Sequence, residues 1–482
     1  MTQGTIAHAS TKDEAAASLN AAIEESGRNN CERSLEILDS LINGDKFSIF
    51  SNENKVITYE LGVMCALNVS RNDLAYSYAV KGTGFDEATV RLLRIRLFFE
   101  ISGENTETAV HLVQRMASSY PDEINAIPIQ WFFRLNRKLE RSGLEPARKD
   151  LLSIISSPNY SPVQPGFSGD YFRRDYAVIL LSSGDETGAV QAVASISDAS
   201  ILIRISLDPR LRHLLPADFD ARAAVESDLA RLKEVAASHP ESADVIRTIT
   251  KRLRALGRAE EALALLESAR PEVFSGDTYV NFGENRNWWW DTLAQVYAVL
   301  GRYEDTVLAF RAGVDAGEAG NMNVSQTLNL AAFQVHSGRD ADALKNFETF
   351  DIENDAVSPL GQMVARLVRG CAKFRTGDFV SAKTDLEYAL AHEQDGPGQL
   401  VDLLLCMGNM DQAASAMIRR LDDPNQRVDA LLDLSNFNPP LHPVTTDPTD
   451  GPLADLKKRP DIQAAISRAG GIGHFNLQKN GI

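Results

Sequence analysis

Residues 252–269 read RLRALGRAEEALALLESA: Leu253 and Leu256 precede Gly257-Arg258, and Ala262, Leu263, Leu265 and Leu266 follow it. Apolar residues recurring three and four apart predict a helix on each side of the glycine. Glycine takes the left-handed backbone angles that other residues avoid, so one helix can end there and a second fold back antiparallel to it. Helix, tight turn, helix is the grammar this stretch sets for the rest of the chain.

The grammar returns in Trp290–Val314, through Trp290, Leu293, Ala294, Tyr297, Gly301, Tyr303 and Phe310. As register marks, Gly103, Gly143, Gly184, Gly257, Gly301, Gly338, Gly377 and Gly408 follow one another in steps of 40, 41, 73, 44, 37, 39 and 31 residues. The long step holds two units of about 36 residues, with Ala217–Ser238 supplying a helix in the gap. A small and then a large residue follow the turns: Ala189 and Val193, Ala262 and Leu266, Ala343 and Phe347, Ala382 and Leu386. Upstream, Glu32–Asn43 with Asn54–Leu67, and Glu87–Ser102 with Thr106–Ala117, read as further hairpins. Asp395-Gly396 and Asp450-Gly451 lie beside prolines rather than between alternating strands. The expected fold class is all-α, an α-solenoid of stacked antiparallel helix hairpins.

The spacing Trp290-x2-Leu293-Ala294-x2-Tyr297 resembles that of the tetratricopeptide-repeat superfamily, with Ala294 in place of the first glycine and Thr306 where alanine is usual. The resemblance implies degenerate repeats, about ten hairpins in a right-handed superhelix, with the first helix of each lining an inner groove. It also implies which side chains face that groove. Counting back from Gly257 they are Asp244, Arg247, Lys251 and Arg254; counting back from Gly184 they are Tyr171 and Arg174. Trp288-Trp289-Trp290 spans roughly 200° of a helix. With Trp290 in the family's core position, Trp288 is expected to project into the groove; the alternative is that Trp288 and Trp289 pack on the connection Arg270–Arg286, which carries Tyr279 and Phe282. A basic groove inside an acidic protein suits a partner segment with carboxylates, or a free C-terminus.

The chain has 482 residues, 44% hydrophobic and 24% charged, a composition that folds rather than staying disordered. Its net charge of −17 opposes any general attraction to nucleic acid or anionic membranes. No apolar run approaches the ~18 residues of a membrane span. Met1–Ser10 lacks the basic start and apolar stretch of a signal peptide, which favours a cytoplasmic location as the sequence stands, or a periplasmic or secreted one if a leader was removed. Cys31 and Cys65 are 34 residues apart, and Cys371 and Cys406 are 35. About one repeat separates each pair, compatible either with disulfides or with buried thiols.

Chemistry is hard to find. There is no G-x-S-x-G and no G-x-x-x-x-G-K-[ST], and Gly470-Gly471-Ile472-Gly473 follows a helix where a dinucleotide loop would follow a strand. The eight histidines are scattered, with no H-E-x-x-H. No catalytic residue, metal or cofactor is expected. Breaks at Ser156–Gly169, Arg270–Arg286 and Asn436–Gly451 suggest a flexible terminus 1–10, N-terminal hairpins 11–160, middle repeats 161–270, C-terminal repeats 271–436, and a capping helix and tail 437–482. Leu453, Ile462, Ile466 and Phe475 would form the cap. The expected function is a non-enzymatic scaffold or adaptor that binds another protein or peptide. Two alternatives stay open: a carbohydrate- or lipid-active enzyme on a helical scaffold, and a regulatory domain for a small ligand or signalling peptide.

Overall fold

The computed structural model describes residues 2–274, 282–316, 323–354, 357–440, 442 and 447–481. Residues 275–281, including Tyr279, lie outside it. The described residues form an all-α stack of helix hairpins with one small ribbon of two strands, divided into two compact units, Met1–Ile179 and Leu180–Ile482.

The first unit holds the hairpins α1 (Thr2–Gly27) with α2 (Cys31–Ile42), α3 (Asn52–Asn68) with α4 (Asn72–Thr83), α5 (Val90–Ser102) with α6 (Thr106–Ser119) and α7 (Ile129–Arg141) with α8 (Glu145–Ile155). It ends within α9 (Asp170–Ser182). The second unit continues with α10 (Glu186–Ala194), then pairs α11 (Ala199–Leu207) with α12 (Ala221–Ser238), and α13 (Ala243–Ala255) with α14 (Ala259–Phe274). Next come α15 (Phe282–Val299) with α16 (Tyr303–Asp315), α17 (Val324–His336) with α18 (Asp340–Asn346), α19 (Pro359–Arg375) with α20 (Phe379–Ala391), and α21 (Pro397–Cys406) with α22 (Met410–Asp422). The chain closes with α23 (Arg427–Leu434), β1 (Asn436–Asn438), α24 (Asp450–Lys458), α25 (Pro460–Ala469) and β2 (His474–Gln478).

Seven of the eight register glycines, all but Gly103, sit at positive φ between 66° and 90°. Each turn is closed by the same long backbone bond: Arg258 N–H to Leu253 C=O (2.8 Å), Arg302 to Tyr297 (2.9 Å), Arg339 to Gln334 (2.8 Å) and Asp378 to Lys373 (2.9 Å). This six-to-one closure satisfies a carbonyl left over at the helix end. Asn29 and Ser70 take the same left-handed conformation (φ 60° and 59°) between α1 and α2 and between α3 and α4, with the same closure by Asn30 and Arg71. Gly103 has φ −83° and needs no glycine for its angles. Gly257→Ala is therefore expected to cost about 1–2 kcal/mol from the left-handed backbone alone, whereas Gly103→Ala escapes that penalty. Equal shifts of the urea midpoint for the two variants would overturn this reading of the turns.

Packing follows the small-then-large order. Ala189, Ala262, Ala343 and Ala382 are fully buried where the two helices of a hairpin meet. Arg252 of α13 joins three helices: its Nε donates to Asp228 (2.7 Å) on α12, and its Nη2 to Asp198 (2.9 Å) at the start of α11.

The ends of the second unit meet. β1 and β2 run parallel, Asn436 opposite His474 and Asn438 opposite Gln478. The strand β2 lies along α12 and α13, and α11 packs on α23, where Arg204 pairs with Asp429. Arg212 donates to the Gly470 carbonyl (2.6 Å) and Arg222 to that of Asn476 (3.4 Å). A stack of repeats leaves an apolar surface at each end. Here the two ends cover one another, with α24 and α25 set against α21–α23; Ile462, Ile466 and Phe475 are buried and Leu453 packs on the same core.

Candidate functional site

In the second unit α13 begins at Ser242, whose hydroxyl accepts from the Val245 N–H (3.4 Å). Val245, Ile246, Ile249 and Leu253 face the core, leaving Arg247, Lys251 and Arg254 toward the neighbouring first helix, α15. Arg247 lies over the Trp288 ring at 5.9 Å, donates to Thr292 Oγ1 (3.3 Å) and pairs with Asp244 (2.7 Å). Arg254 is buried and donates to Gln295 Oε1 (2.6 Å). Gln295 and Asn329 in turn donate to the buried Asp291 (2.5 and 2.7 Å). The structure thus brings Arg247, Arg254 and Trp288 together, but as members of an internal polar network.

Burial drives the electrostatics. It holds the Arg254 guanidinium down at about 10 against the attraction of Asp291, and it holds Arg247 down against Asp244 and Asp291. Burial also raises the Asp291 carboxyl, outweighing the bond from Asn329 and the two arginines. Lys251 differs: its side chain is exposed and makes no hydrogen bond or ion pair among the described residues. Desolvation nonetheless pushes its ammonium down, with Arg247, Arg254 and Arg252 adding to the effect. Beside it runs the chain's own end. A Cβ on Gly481 would stand 2.2 Å from the Ala255 nitrogen and 2.5 Å from the Lys251 carbonyl oxygen.

The fully buried indole of the tryptophan run is Trp289; Trp290 is half-buried against the same core, beside buried Leu293, Ala294 and Tyr297. Tyr171 and Arg174 belong to the first unit. Tyr171 is 44% exposed with its ring edge-on to Phe133 (5.9 Å), and Arg174 stands 3.7 Å from Asp175. Of the cysteines, Cys371 and Cys406 are joined as a disulfide between α19 and α21 (Cα–Cα 5.8 Å), while Cys31 and Cys65 are buried free thiols. Burial and the neighbouring Cys65 push the Cys31 thiol up to about 11, against a bond from Ser26.

Two features escaped the sequence reading. One is Asp402 of α21 in the second unit, whose carboxyl feels the charges of Asp433, Asp447, Arg420 and Lys479. Burial first, then repulsion from Asp433 and Asp447, pushes its carboxyl up to about 7, with Arg420 and Lys479 opposing. The folded state then keeps a proton that the unfolded chain releases. Its stabilising contribution is full below the usual carboxylate range near 3.8 and is lost as pH rises through about 7. Urea midpoints are therefore expected to fall from about pH 4 to about pH 7 more steeply in the natural chain than in Asp402→Asn; identical slopes would refute the assignment. No grouping of His, Cys, Asp and Glu among the described residues is arranged to hold a metal.

The other feature is in the first unit, a furrow of about 520 Å³ between the first helices α3, α5 and α7. Leu67, Val90, Ile95, Phe98, Phe99 and Trp131 form its floor, and Arg91 and Arg94 its rim. Phe98 is 45% exposed and Leu67 36%, with the Phe98 and Trp131 rings 5.3 Å apart. The signal was present in α5, which is apolar on two faces. Leu92, Leu93, Leu97 and Ile101 are buried in the unit's cores, Val90 and Ile95 are partly buried at their edge, and Phe98 stands out from them into the furrow.

No family model matches the chain, and no curated protein does. Similar solved structures include yeast Tom70, at 10% identity and TM-score 0.34, over 95% of this chain and 99% of that one. Another is the APC/C hetero-tetramer Cut9–Hcn1, at 12% identity and TM-score 0.30, over 93% of this chain and 95% of that one. A third is the human IFIT1 dimer with m7Gppp-AAAA, at 13% identity and TM-score 0.28, over 93% and 87%. Superpositions this loose carry nothing about partner or activity. Among the described residues no helix is long and apolar enough to cross a membrane.

Proposed function

We propose that this chain is a non-enzymatic scaffold of degenerate tetratricopeptide-like hairpins, and that the furrow between α3, α5 and α7 holds a helical segment of another protein. The observation that carries this is Phe98, an aromatic ring left half in solvent in the apolar floor while Leu92, Leu93, Leu97 and Ile101 of α5 are buried. A contiguous apolar surface rimmed by charge is what a protein-binding groove requires. A furrow of 520 Å³ also lies within the ~300–1,000 Å³ of ordinary binding clefts.

A photo-crosslinking amino acid at position 98 is expected to capture a protein partner, with the adduct mapped to one helical segment. The same probe at Val380, 82% exposed in the second unit, is expected to capture none. Equal capture at both positions would refute the site.

A second reading concerns Lys251, whose exposed ammonium between Arg247 and Arg254 suits a carboxylate group of a ligand. Its test is a photo-crosslinking amino acid at position 251, and failure to capture any ligand there would refute this second reading.

A further inference from the structure

Resting on the furrow as the binding site, we infer that its partner is an amphipathic helix whose apolar stripe is flanked by carboxylates. The floor dictates the stripe. Phe98 and Trp131 meet at a 46° tilt, and Phe98 and Phe99 at 66°, so the rings present edges and gaps between helices rather than one flat platform. Gaps of this kind accept leucine-sized knobs spaced three and four residues apart on a facing helix.

The rim dictates the charge. Arg91 is largely exposed and its one ion pair among the described residues, with Glu60, is 3.5 Å long. Arg94 reaches Glu123 at 3.9 Å and the Ala126 carbonyl at 3.4 Å. With both arginines open to solvent, pairs this loose contribute little and are readily exchanged for a partner's carboxylate. Arg134, one turn along α7 from Trp131, is exposed and makes no hydrogen bond or ion pair among the described residues. Arg91 and Arg94 line the furrow beside its apolar floor, and their loose pairs with Glu60 and Glu123 leave both guanidinium groups able to turn to a partner's carboxylate.

A single-stranded nucleic acid fits less well. Its affinity comes from many phosphate contacts along a basic track and from bases stacking on free ring faces. Two arginines make no basic track along a phosphate backbone, and the chain as a whole repels a polyanion.

The test is selection of a displayed library of helical peptides on the full chain. The winners are expected to carry leucine or aromatic residues at helical spacing with Asp or Glu on both shoulders. Replacing those acids by Gln or Asn should weaken binding about tenfold, as the loss of charge-assisted bonds implies. The double variant Arg91→Glu with Arg94→Glu should select Lys and Arg shoulders instead, and it leaves the apolar floor intact. Winners without acidic shoulders, still blocked by Phe98→Asp in a chain of unchanged melting, would overturn the charge inference and leave the groove standing. Winners indifferent to Phe98→Asp would overturn the groove itself. Displacement of the winners by a single-stranded RNA oligomer would replace the peptide by nucleic acid as the occupant.

Discussion

Asp385→Ala is expected to cost the second unit about 3–5 kcal/mol, the loss typical of removing one partner from a buried ionic cluster. Asp385 projects from α20 with no exposed surface. It accepts from Arg366 Nη1 (3.1 Å), Arg369 Nε (3.0 Å) and Lys373 Nζ (3.4 Å), all on one face of α19. Arg366 also lies over the Tyr388 ring at 4.4 Å and pairs with Glu353. Gly370 lets the two helices come this close, because a Cβ there would stand 3.1 Å from that of Asp385. Without the carboxylate, Arg369 and Lys373 lose this partner and Arg366 keeps only Glu353 among the described residues, on a side chain 66% exposed. Asp385→Asn keeps acceptor geometry and should lose less. Urea unfolding of the full chain measures both, and a loss below about 1 kcal/mol for Ala would show the cluster to be exposed in effect.

Leu477→Asp is expected to release the C-terminal strand and open the second unit. Leu477 is fully buried in β2, and Phe475 of the same strand packs on Phe437 of β1 with ring centres 5.3 Å apart. Two short strands have little stability of their own, so the ribbon depends on this apolar contact with α12 and α13. Losing a buried leucine costs about 2–5 kcal/mol even when alanine replaces it, and an unpaired carboxylate adds to that. Hydrogen exchange should show amides 474–478 unprotected and α11 loosened against α23. Protection unchanged in both places would mean that the closure does not rest on the strand.

How much of this was legible in the residues depends on the range of the forces involved. The turns were readable at Gly143, Gly184, Gly257, Gly301, Gly338, Gly377 and Gly408 because left-handed backbone favours one residue type. They were unreadable at Asn29 and Ser70, which adopt that conformation at some cost and leave no compositional mark. The helix in the 73-residue step was read as starting at Ala217; it starts at Ala221, after the side chain of Asp220 accepts from the Ala223 N–H (2.6 Å). Helical register is local, so it puts Arg247, Lys251 and Arg254 on α13, and the structure sets Arg247 over the Trp288 ring of α15. Which of them stay open to a ligand was not written in that register. Arg254 is taken up by Gln295, forty-one residues away, and the approach to Lys251 is shared with Gly481.

Periodicity and glycine spacing alone determined that the chain is a succession of antiparallel helix pairs, because each pair is specified by residues within one or two turns of each other. Folding in three dimensions decided that the second unit closes end to end, that one basic wall is largely spent on internal partners, and that Phe98 remains uncovered. Those outcomes depend on which surfaces meet after more than two hundred intervening residues, as between Arg204 and Asp429, and no local pattern encodes such a meeting.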